Sequence, residues 1–177
     1  MTKPRGDSAK RRSGGAFNLR LDVPGDLVRE VLAIDPGAAR TSKTNGYSHW
    51  IRDNGTDQFV QVAVGSTGVL EAIMMLSEWA RRNRGQGVAV VEEFRLYPHL
   101  LADQGLTQVA TAQVIGAMQW ELHRLDWPVP MIMQGAHIKK AAQRAMDEAA
   151  IEAQGTNQHA RDAEMHGWYW ILKKWRH

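Results

Sequence analysis

Apolar residues occur in short continuous blocks along this chain, and two of these blocks are followed directly by an acid. Together with the acid that follows, these two blocks span residues 31–35 and 88–92. A continuous apolar run of this length, bounded by turn residues, is typical of a strand that is buried on both faces of a sheet. Pro36 and Gly37 end the first strand, because proline cannot donate a backbone hydrogen bond and glycine tolerates positive φ. Asp35 is therefore expected at the end of a buried strand.

The pattern between the two blocks predicts two more strands and a helix. Loosely alternating residues over 47–51 and 59–64 predict strands, and the Asn45-Gly46 dipeptide before them is a turn signal of hairpins. The first three strands are thus expected to form an antiparallel meander. Apolar residues at helical spacing predict a helix over residues 66–84, which glycines then stop.

The two acids are predicted to meet at one edge of the sheet. A strand that is reached through a crossover helix lies parallel to an earlier strand, which brings the carboxyl ends of both strands together. Glu92 then lies near Asp35, whereas Glu93 points to the opposite face because strand side chains alternate. An Asp that follows a strand can also simply cap its own turn, so a shared site depends on further carboxylates that converge there.

The second half of the chain continues the alternation of helices and strands. Helical spacing of apolar residues predicts a helix over 107–125, and residues 127–133 predict a turn followed by a fifth strand. Two more helices are expected, one from about His137 into the 140s and the last from about Asn157. The predicted fold class is therefore α/β, with a five-stranded mixed sheet flanked by helices.

The last predicted helix carries the residues that complete a candidate site. Spacings of three and four place His159, Asp162 and His166 on one face of that helix. Together with Asp35 and Glu92, this face offers carboxylate oxygens and one imidazole, a set that suits Mg²⁺ or Mn²⁺ rather than structural zinc. Three carboxylates around one point would repel each other without cations. His159 could instead serve only to cap the last helix.

Positive charge is concentrated at the start of the chain. Residues 1–20 contain six Lys or Arg and one Asp, a net charge of +5, whereas the remainder carries 16 basic and 18 acidic residues. Such a segment cannot bury enough apolar surface to order itself. We expect residues 1–20 to form a disordered tail and residues 21–177 to form a single domain. The tail is either an arm that contacts nucleic-acid phosphates or a solvated leader, and the sequence favours neither.

Further basic residues flank the candidate site. Arg40 and Lys43 lie on the loop that leaves Asp35, and Lys139 and Lys140 are expected to be exposed on the helix after the fifth strand. All four could contact DNA phosphates beside a carboxylate site. They could equally keep a surface loop and a helix soluble.

The composition excludes several classes of protein. The chain has no cysteine, which rules out disulfides and thiolate metal sites. No stretch approaches the roughly 20 apolar residues of a membrane span. The N-terminus lacks the apolar core of a secretory signal. We therefore expect a cytoplasmic protein that makes no contact with a membrane.

The order of these elements and acids resembles that of the RuvC-like Holliday-junction resolvases, within the ribonuclease H-like superfamily, and looks most like their phage-encoded branch. The resemblance covers roughly residues 30–172, whereas residues 146–156 match nothing in the family pattern. The matching motifs are Ile34-Asp35-Pro36-Gly37, Val90-Val91-Glu92-Glu93-Phe94-Arg95-Leu96-Tyr97-Pro98, Gln113-Val114-Ile115-Gly116 and His159-Ala160-Arg161-Asp162-Ala163. The resemblance implies a ribonuclease H-like fold.

The resemblance also implies a catalytic site and an activity. Asp35, Glu92 and Asp162 would be the metal-binding acids, and His159 would fill a fourth position that is Asp or His in such enzymes. Two cations about 4 Å apart would activate water and stabilise the leaving oxygen of a phosphodiester. The expected protein is a Mg²⁺-dependent homodimer, with Mn²⁺ as a substitute and no small-molecule cofactor. It would cut branched DNA symmetrically, in the host cytoplasm if it is phage-encoded.

Two other functions are compatible with the same residues. A flap or single-strand endonuclease, or an RNA-processing enzyme, would use the same acids on the same fold. A nucleic-acid-binding protein that had lost metal chemistry would keep the fold alone. Retention of all four ligand-type residues argues against the non-catalytic protein.

Overall fold

A computed structural model describes the backbone of residues 27–37, 44–83, 85–94, 101–128 and 131–174. The N-terminal tail, Arg40 and Lys43 lie outside the described residues, so the predictions made for them stay predictions. Within the described part of the chain, no helix is both long and apolar enough to cross a membrane.

Five strands form a single mixed sheet in the described residues. They are β1 (Glu30–Asp35), β2 (Asn45–Arg52), β3 (Phe59–Thr67), β4 (Gly87–Glu93) and β5 (Ile132–Gly135), arranged in the order β3-β2-β1-β4-β5. The first three strands pair antiparallel, which confirms the predicted meander. β4 pairs parallel to both β1 and β5, which confirms the predicted crossover.

Four α-helices cover the two faces of this sheet in the described part of the chain. They are α1 (Val69–Asn83), α2 (Leu101–Arg124), α3 (Lys139–Glu148) and α4 (Gln158–Lys174), and a short 3-10 turn (Ala136–Ile138) precedes α3. The predicted α/β class, a five-stranded mixed sheet flanked by helices, is therefore confirmed.

The alternation of side chains along β1 divides the core into two layers. Leu32 and Ile34 pack with buried residues of α1 and α2 on one face of the sheet. Val31 and Ala33 face the other way and pack with Trp50 and with residues of α4. Since Asp35 continues the series of Val31 and Ala33, its side chain lies on the face that α4 covers.

The Asn45-Gly46 dipeptide is not the predicted turn but the beginning of β2. Asn45 is buried, and its Oδ1 atom accepts a hydrogen bond from the backbone N–H of Gly37 (3.2 Å). A β-carbon on Gly46 would overlap with the backbone of His159 in α4. Gly46 is therefore needed for the close approach of a helix, and the local turn propensity is overridden by tertiary packing.

The fifth strand follows a non-strand segment, in agreement with the prediction of a turn and then a strand. Trp127 lies before the strand and packs on Trp79 of α1, with ring centroids 5.1 Å apart. Gly135, the last residue of β5, lies directly before the 3-10 turn that leads to α3.

Candidate metal centre

Three carboxylates meet at the carboxyl ends of β1 and β4. Asp35 ends β1, Glu92 lies near the end of the parallel neighbour β4, and α4 contributes Asp162 from above the sheet. One oxygen of each carboxylate lies within 4.8 Å of the other two. The predicted convergence of these three acids is thus present in the structure. Glu93, the next residue along β4, does not belong to this group.

Lys139 pairs with two of the acids, although the sequence predicted an exposed lysine. Its Nζ atom lies 2.6 Å from Asp162 Oδ2 and 2.9 Å from Glu92 Oε2. The prediction that Lys139 is exposed is wrong, because α3 begins directly after the 3-10 turn and its first residue stays at the edge of the sheet. Lys140 is exposed, as predicted.

His159 lies beside the carboxylates but contacts only one of them closely. Its Nδ1 atom is 2.7 Å from Asp35 Oδ2, and its side chain is 43% exposed. The capping function at this end of α4 belongs to Asn157, whose Oδ1 atom accepts the backbone N–H of Ala160 (3.0 Å). The alternative that His159 only caps the helix therefore loses its basis. Its function as a fourth metal ligand stays a prediction.

A buried glutamate holds the segment that leads into α4, part of the stretch that matched nothing in the family pattern. The carboxylate of Glu164 is fully buried and accepts backbone N–H groups from Gln154 and Gly155 at 2.9–3.0 Å. Arg161 Nε donates to the Gly155 carbonyl oxygen (2.9 Å). These contacts fix the start of α4 and with it Asp162. The sequence offered no signal for them, since they join residues across a loop without periodicity.

A second buried polar pair lies behind Glu92. His166 is fully buried, with Nδ1 3.0 Å from Gln134 Oε1 and Nε2 3.4 Å from Glu92 Oε2. The sequence placed His166 on the same helix face as Asp162 but assigned it no part in the site. Gln134, near the end of β5, was missed because nothing in the sequence places β5 next to α4.

The pKa values of Asp35 and Glu92 are shifted in opposite directions. Burial raises the pKa of Asp35 to about 9, and the hydrogen bond and negative charge of Glu92 act in the same direction. Burial alone would also raise the pKa of Glu92, but its contacts with His166, Asp35 and Lys139 lower that pKa to about 2. Asp35 is therefore neutral at pH 7, while Glu92 is ionised and pairs with Lys139.

The residues of this centre fit a hard divalent cation. All three acids offer oxygen donors, the ligand type that Mg²⁺ and Mn²⁺ prefer. Among the described residues, no donor makes a well-aligned hydrogen bond to Glu92 Oε2, although that atom is buried. The ammonium group of Lys139 shows that the acids already attract one positive charge. A cation that binds there would have to displace Lys139 from the carboxylates and a proton from Asp35.

Metal binding should therefore release a proton. Because the pKa of Asp35 is raised to about 9, the acid must ionise before it can ligate a cation at neutral pH. The apparent affinity for Mg²⁺ or Mn²⁺ should rise about tenfold per pH unit between about pH 6 and pH 9 and level off above that. Titration calorimetry in buffers of different ionisation enthalpy measures both the affinity and the released proton. An affinity that does not change with pH over this range would contradict the assignment of the proton to Asp35.

The chain is similar to known proteins in its structure but not in its sequence. No protein-family model matches the chain, and no curated protein sequence matches it significantly. Solved structures do match. Thermus thermophilus RuvC, solved in complex with a Holliday junction substrate, superposes with a TM-score of 0.58 at 15% sequence identity, over 81% of this chain and 96% of that chain. The chain has the RuvC fold.

Two other resolvases share this RuvC fold. The fowlpox virus resolvase, solved with Holliday junction DNA, has a TM-score of 0.51 at 10% identity and covers 81% of this chain and 99% of its own. The yeast mitochondrial Holliday junction resolvase Ydc2 has the same TM-score and identity over 85% of this chain and 80% of its own. The predicted ribonuclease H-like fold is thereby confirmed. The low identities explain why the likeness is visible in structure and not in whole-chain sequence comparison.

Proposed function

We propose that this protein is a metal-dependent endonuclease that cleaves branched DNA, with the Holliday junction as its main substrate. The observation that carries the proposal is the convergence of Asp35, Glu92 and Asp162 within 4.8 Å of one another on a RuvC fold. The structural neighbours bear the names of Holliday junction resolvases, and two of them were solved with junction DNA. Surface acids are common, but three that converge at the ends of buried parallel strands are costly without a cation.

The acids would hold one or two divalent cations. When bound, such cations would supply the positive charge that activates water and stabilises the departing oxygen in phosphodiester hydrolysis. Asp35, which also contacts His159, would give up its proton and serve both as ligand and as acceptor for the histidine. Glu92 and Asp162 would complete the oxygen donors. Because the backbone elements that carry all three are packed in the core, the site is preorganised.

His159 lies on the solvent-exposed side of the acids, where a substrate would bind, and is therefore well placed to act on it. Its ring is partly exposed, whereas Asp35 is buried beneath it. Once ionised, Asp35 would accept a hydrogen bond from Nδ1–H of His159, and Nε2 would then face away from Asp35. We propose that His159 orients the attacking water or serves as the fourth ligand. Lys139, once displaced from Glu92 and Asp162, would be available to contact a substrate phosphate.

The surface next to the site carries positive charge that suits DNA. Lys140 and Arg144 are exposed on α3, the helix that begins with Lys139. Phosphate contacts of this kind hold a nucleic acid in register but do not select its sequence. They support a DNA substrate and leave the base sequence at the cut site open.

A homodimer would pair two such sites on one junction, and the fold leaves an apolar surface that could form it. The surface lies along the outer sides of α1 and α2, which are joined by a hydrogen bond from Ser77 Oγ to Glu121 Oε1 (2.5 Å). The large apolar side chains exposed there are Leu70, Met74, Val109 and Trp120. Trp120 is 65% exposed, an unusual position for the residue type most enriched at interface centres.

Changing Trp120 to Glu should convert a dimer into a monomer. A charge at the centre of an apolar interface is desolvated without a partner, which costs several kcal/mol. Sedimentation equilibrium or light scattering at micromolar concentration measures the change directly. Val60→Glu is the matched control, because Val60 is also exposed but lies on the edge strand β3. Equal behaviour of both variants would mean that the surface of α1 and α2 is not the interface.

The substrate is tested by offering labelled four-way junction, flap, duplex and single-stranded DNA side by side with Mg²⁺. We expect paired nicks at symmetric positions of the junction and little cleavage of duplex. A preference for flaps or single strands would favour the other nuclease function. Absence of cleavage of any DNA with either Mg²⁺ or Mn²⁺ would overturn the proposal.

A further inference from the structure

His166 is a buried polar residue that the proposed chemistry does not use. It lies on α4, one turn beyond Asp162, and is fully excluded from solvent. Its neighbours on the sheet-facing side of α4 are apolar and buried, among them Ala163, Trp170 and Ile171. An apolar side chain would fill this position at lower cost, because a buried imidazole must recover its desolvation through contacts.

The imidazole of His166 makes its polar contacts across two strands. Nδ1 lies 3.0 Å from the side-chain amide of Gln134 on β5, and Nε2 lies 3.4 Å from Glu92 Oε2 on β4. Gln134 is itself buried. The side chains of Gln134, His166 and Glu92 thus form a series of polar contacts from the edge strand β5 to the metal centre.

The chemistry of these groups determines what each contact can do. Gln134 Oε1 accepts a hydrogen bond from Nδ1–H of His166 (3.0 Å), which fixes the plane of the ring and directs Nε2 towards Glu92. An ionised carboxylate only accepts hydrogen bonds, so the contact between Nε2 and Glu92 is attractive when Nε2 also carries a hydrogen.

Glu92 needs such a contact once a cation arrives. In the structure, Glu92 Oε2 is flanked by Lys139 Nζ at 2.9 Å and by His166 Nε2 at 3.4 Å. A cation at the acids would take the place of Lys139 and leave His166 as the neighbour that orients the carboxylate. A residue that contacts a metal-binding carboxylate without binding the metal itself orients that carboxylate and thereby affects the affinity of the site for the metal.

We infer that His166, held in place by Gln134, is a positioning residue that orients Glu92 for the divalent cation. The inference rests on the proposed function, because it assigns His166 and Gln134 to the same metal centre.

The test compares metal affinity rather than cleavage. His166→Phe keeps the ring volume and removes both nitrogen atoms, whereas His166→Gln keeps an N–H near the position of Nε2. Gln134→Met removes the amide at nearly constant shape. We expect Mn²⁺ affinity, measured by calorimetry or by the electron paramagnetic resonance of free Mn²⁺, to fall about 10- to 100-fold in His166→Phe and in Gln134→Met. His166→Gln should recover most of the affinity.

Two controls separate this inference from its alternatives. Ile171→Ala removes a buried side chain of α4 away from the acids, so it should lower the melting temperature and leave Mn²⁺ affinity unchanged. If His166→Phe proves too unstable to study, Gln134→Met decides. Wild-type affinity in both His166→Phe and Gln134→Met, or equal losses in His166→Phe and His166→Gln, would overturn the inference. If the wild-type protein itself bound no Mn²⁺, the proposed function would fail instead.

Discussion

Replacing Asp35 with asparagine should abolish DNA cleavage and leave junction binding nearly intact. The substitution keeps the shape of the side chain and removes the charge that would ligate the cation. Cations contribute several kcal/mol to phosphodiester hydrolysis, and each 1.4 kcal/mol or so is tenfold in rate, so the loss should be about 10³-fold or more. Single-turnover cleavage of a four-way junction measures the rate, and a gel-shift assay in Ca²⁺ measures binding.

The same variant should be at least as stable as the wild type, which distinguishes a lost ligand from a lost fold. The pKa of Asp35 is raised to about 9 from its ordinary value of 3.8, so the folded protein holds a proton that the unfolded chain releases. The free energy of unfolding of the metal-free protein therefore falls as the pH rises from about 4 to about 9. Asparagine removes this penalty, and the melting temperature of Asp35→Asn at pH 8 should equal or exceed that of the wild type. Mg²⁺-dependent cleavage retained by Asp35→Asn would refute the proposed centre.

Changing Glu92 to glutamine should inactivate the protein, whereas the same change at Glu93 should not. The two residues are adjacent on β4, and each substitution replaces one carboxylate oxygen with an amide nitrogen. Only Glu92 lies with Asp35 and Asp162, and it also pairs with Lys139. We expect a loss of about 10³-fold or more in Glu92→Gln, on the same grounds as for Asp35.

Glu93→Gln is the matched control and should keep measurable activity, because its side chain points to the other face of the strand. Junction cleavage by both variants at several Mg²⁺ concentrations provides the comparison. The reverse ranking would mean that Glu93, not Glu92, supplies the ligand and that the acids meet in a different register.

The pattern of apolar residues was sufficient to predict the two strands that carry Asp35 and Glu92. Continuous apolar runs predicted β1 and β4 as buried strands, and the helix between them predicted that they are parallel. Side-chain alternation then separated Glu92 from Glu93. These inferences held because each depends on periodicity within one element and on the handedness of a crossover, not on distant contacts.

Local pattern failed where a residue's environment comes from another part of the chain. Asn45-Gly46 has the composition of a turn, but the glycine serves the approach of α4, more than one hundred residues later. Lys139 was expected on a solvated helix face and instead neutralises Glu92 and Asp162. Charge and propensity alone do not reveal which elements will lie opposite a side chain.

The sequence by itself thus determined the fold class, the edge of the sheet where the acids meet and three of the acids that meet there. The tertiary structure alone decided that Lys139 pairs with Glu92 and Asp162, that Glu164 holds the start of α4, and that Gln134 and His166 lie next to Glu92. The physical reason is burial. The periodicity of apolar residues shows which residues become buried. The hydrogen-bond partner of a buried polar group, however, is known only when the packing of the helices on the sheet is known.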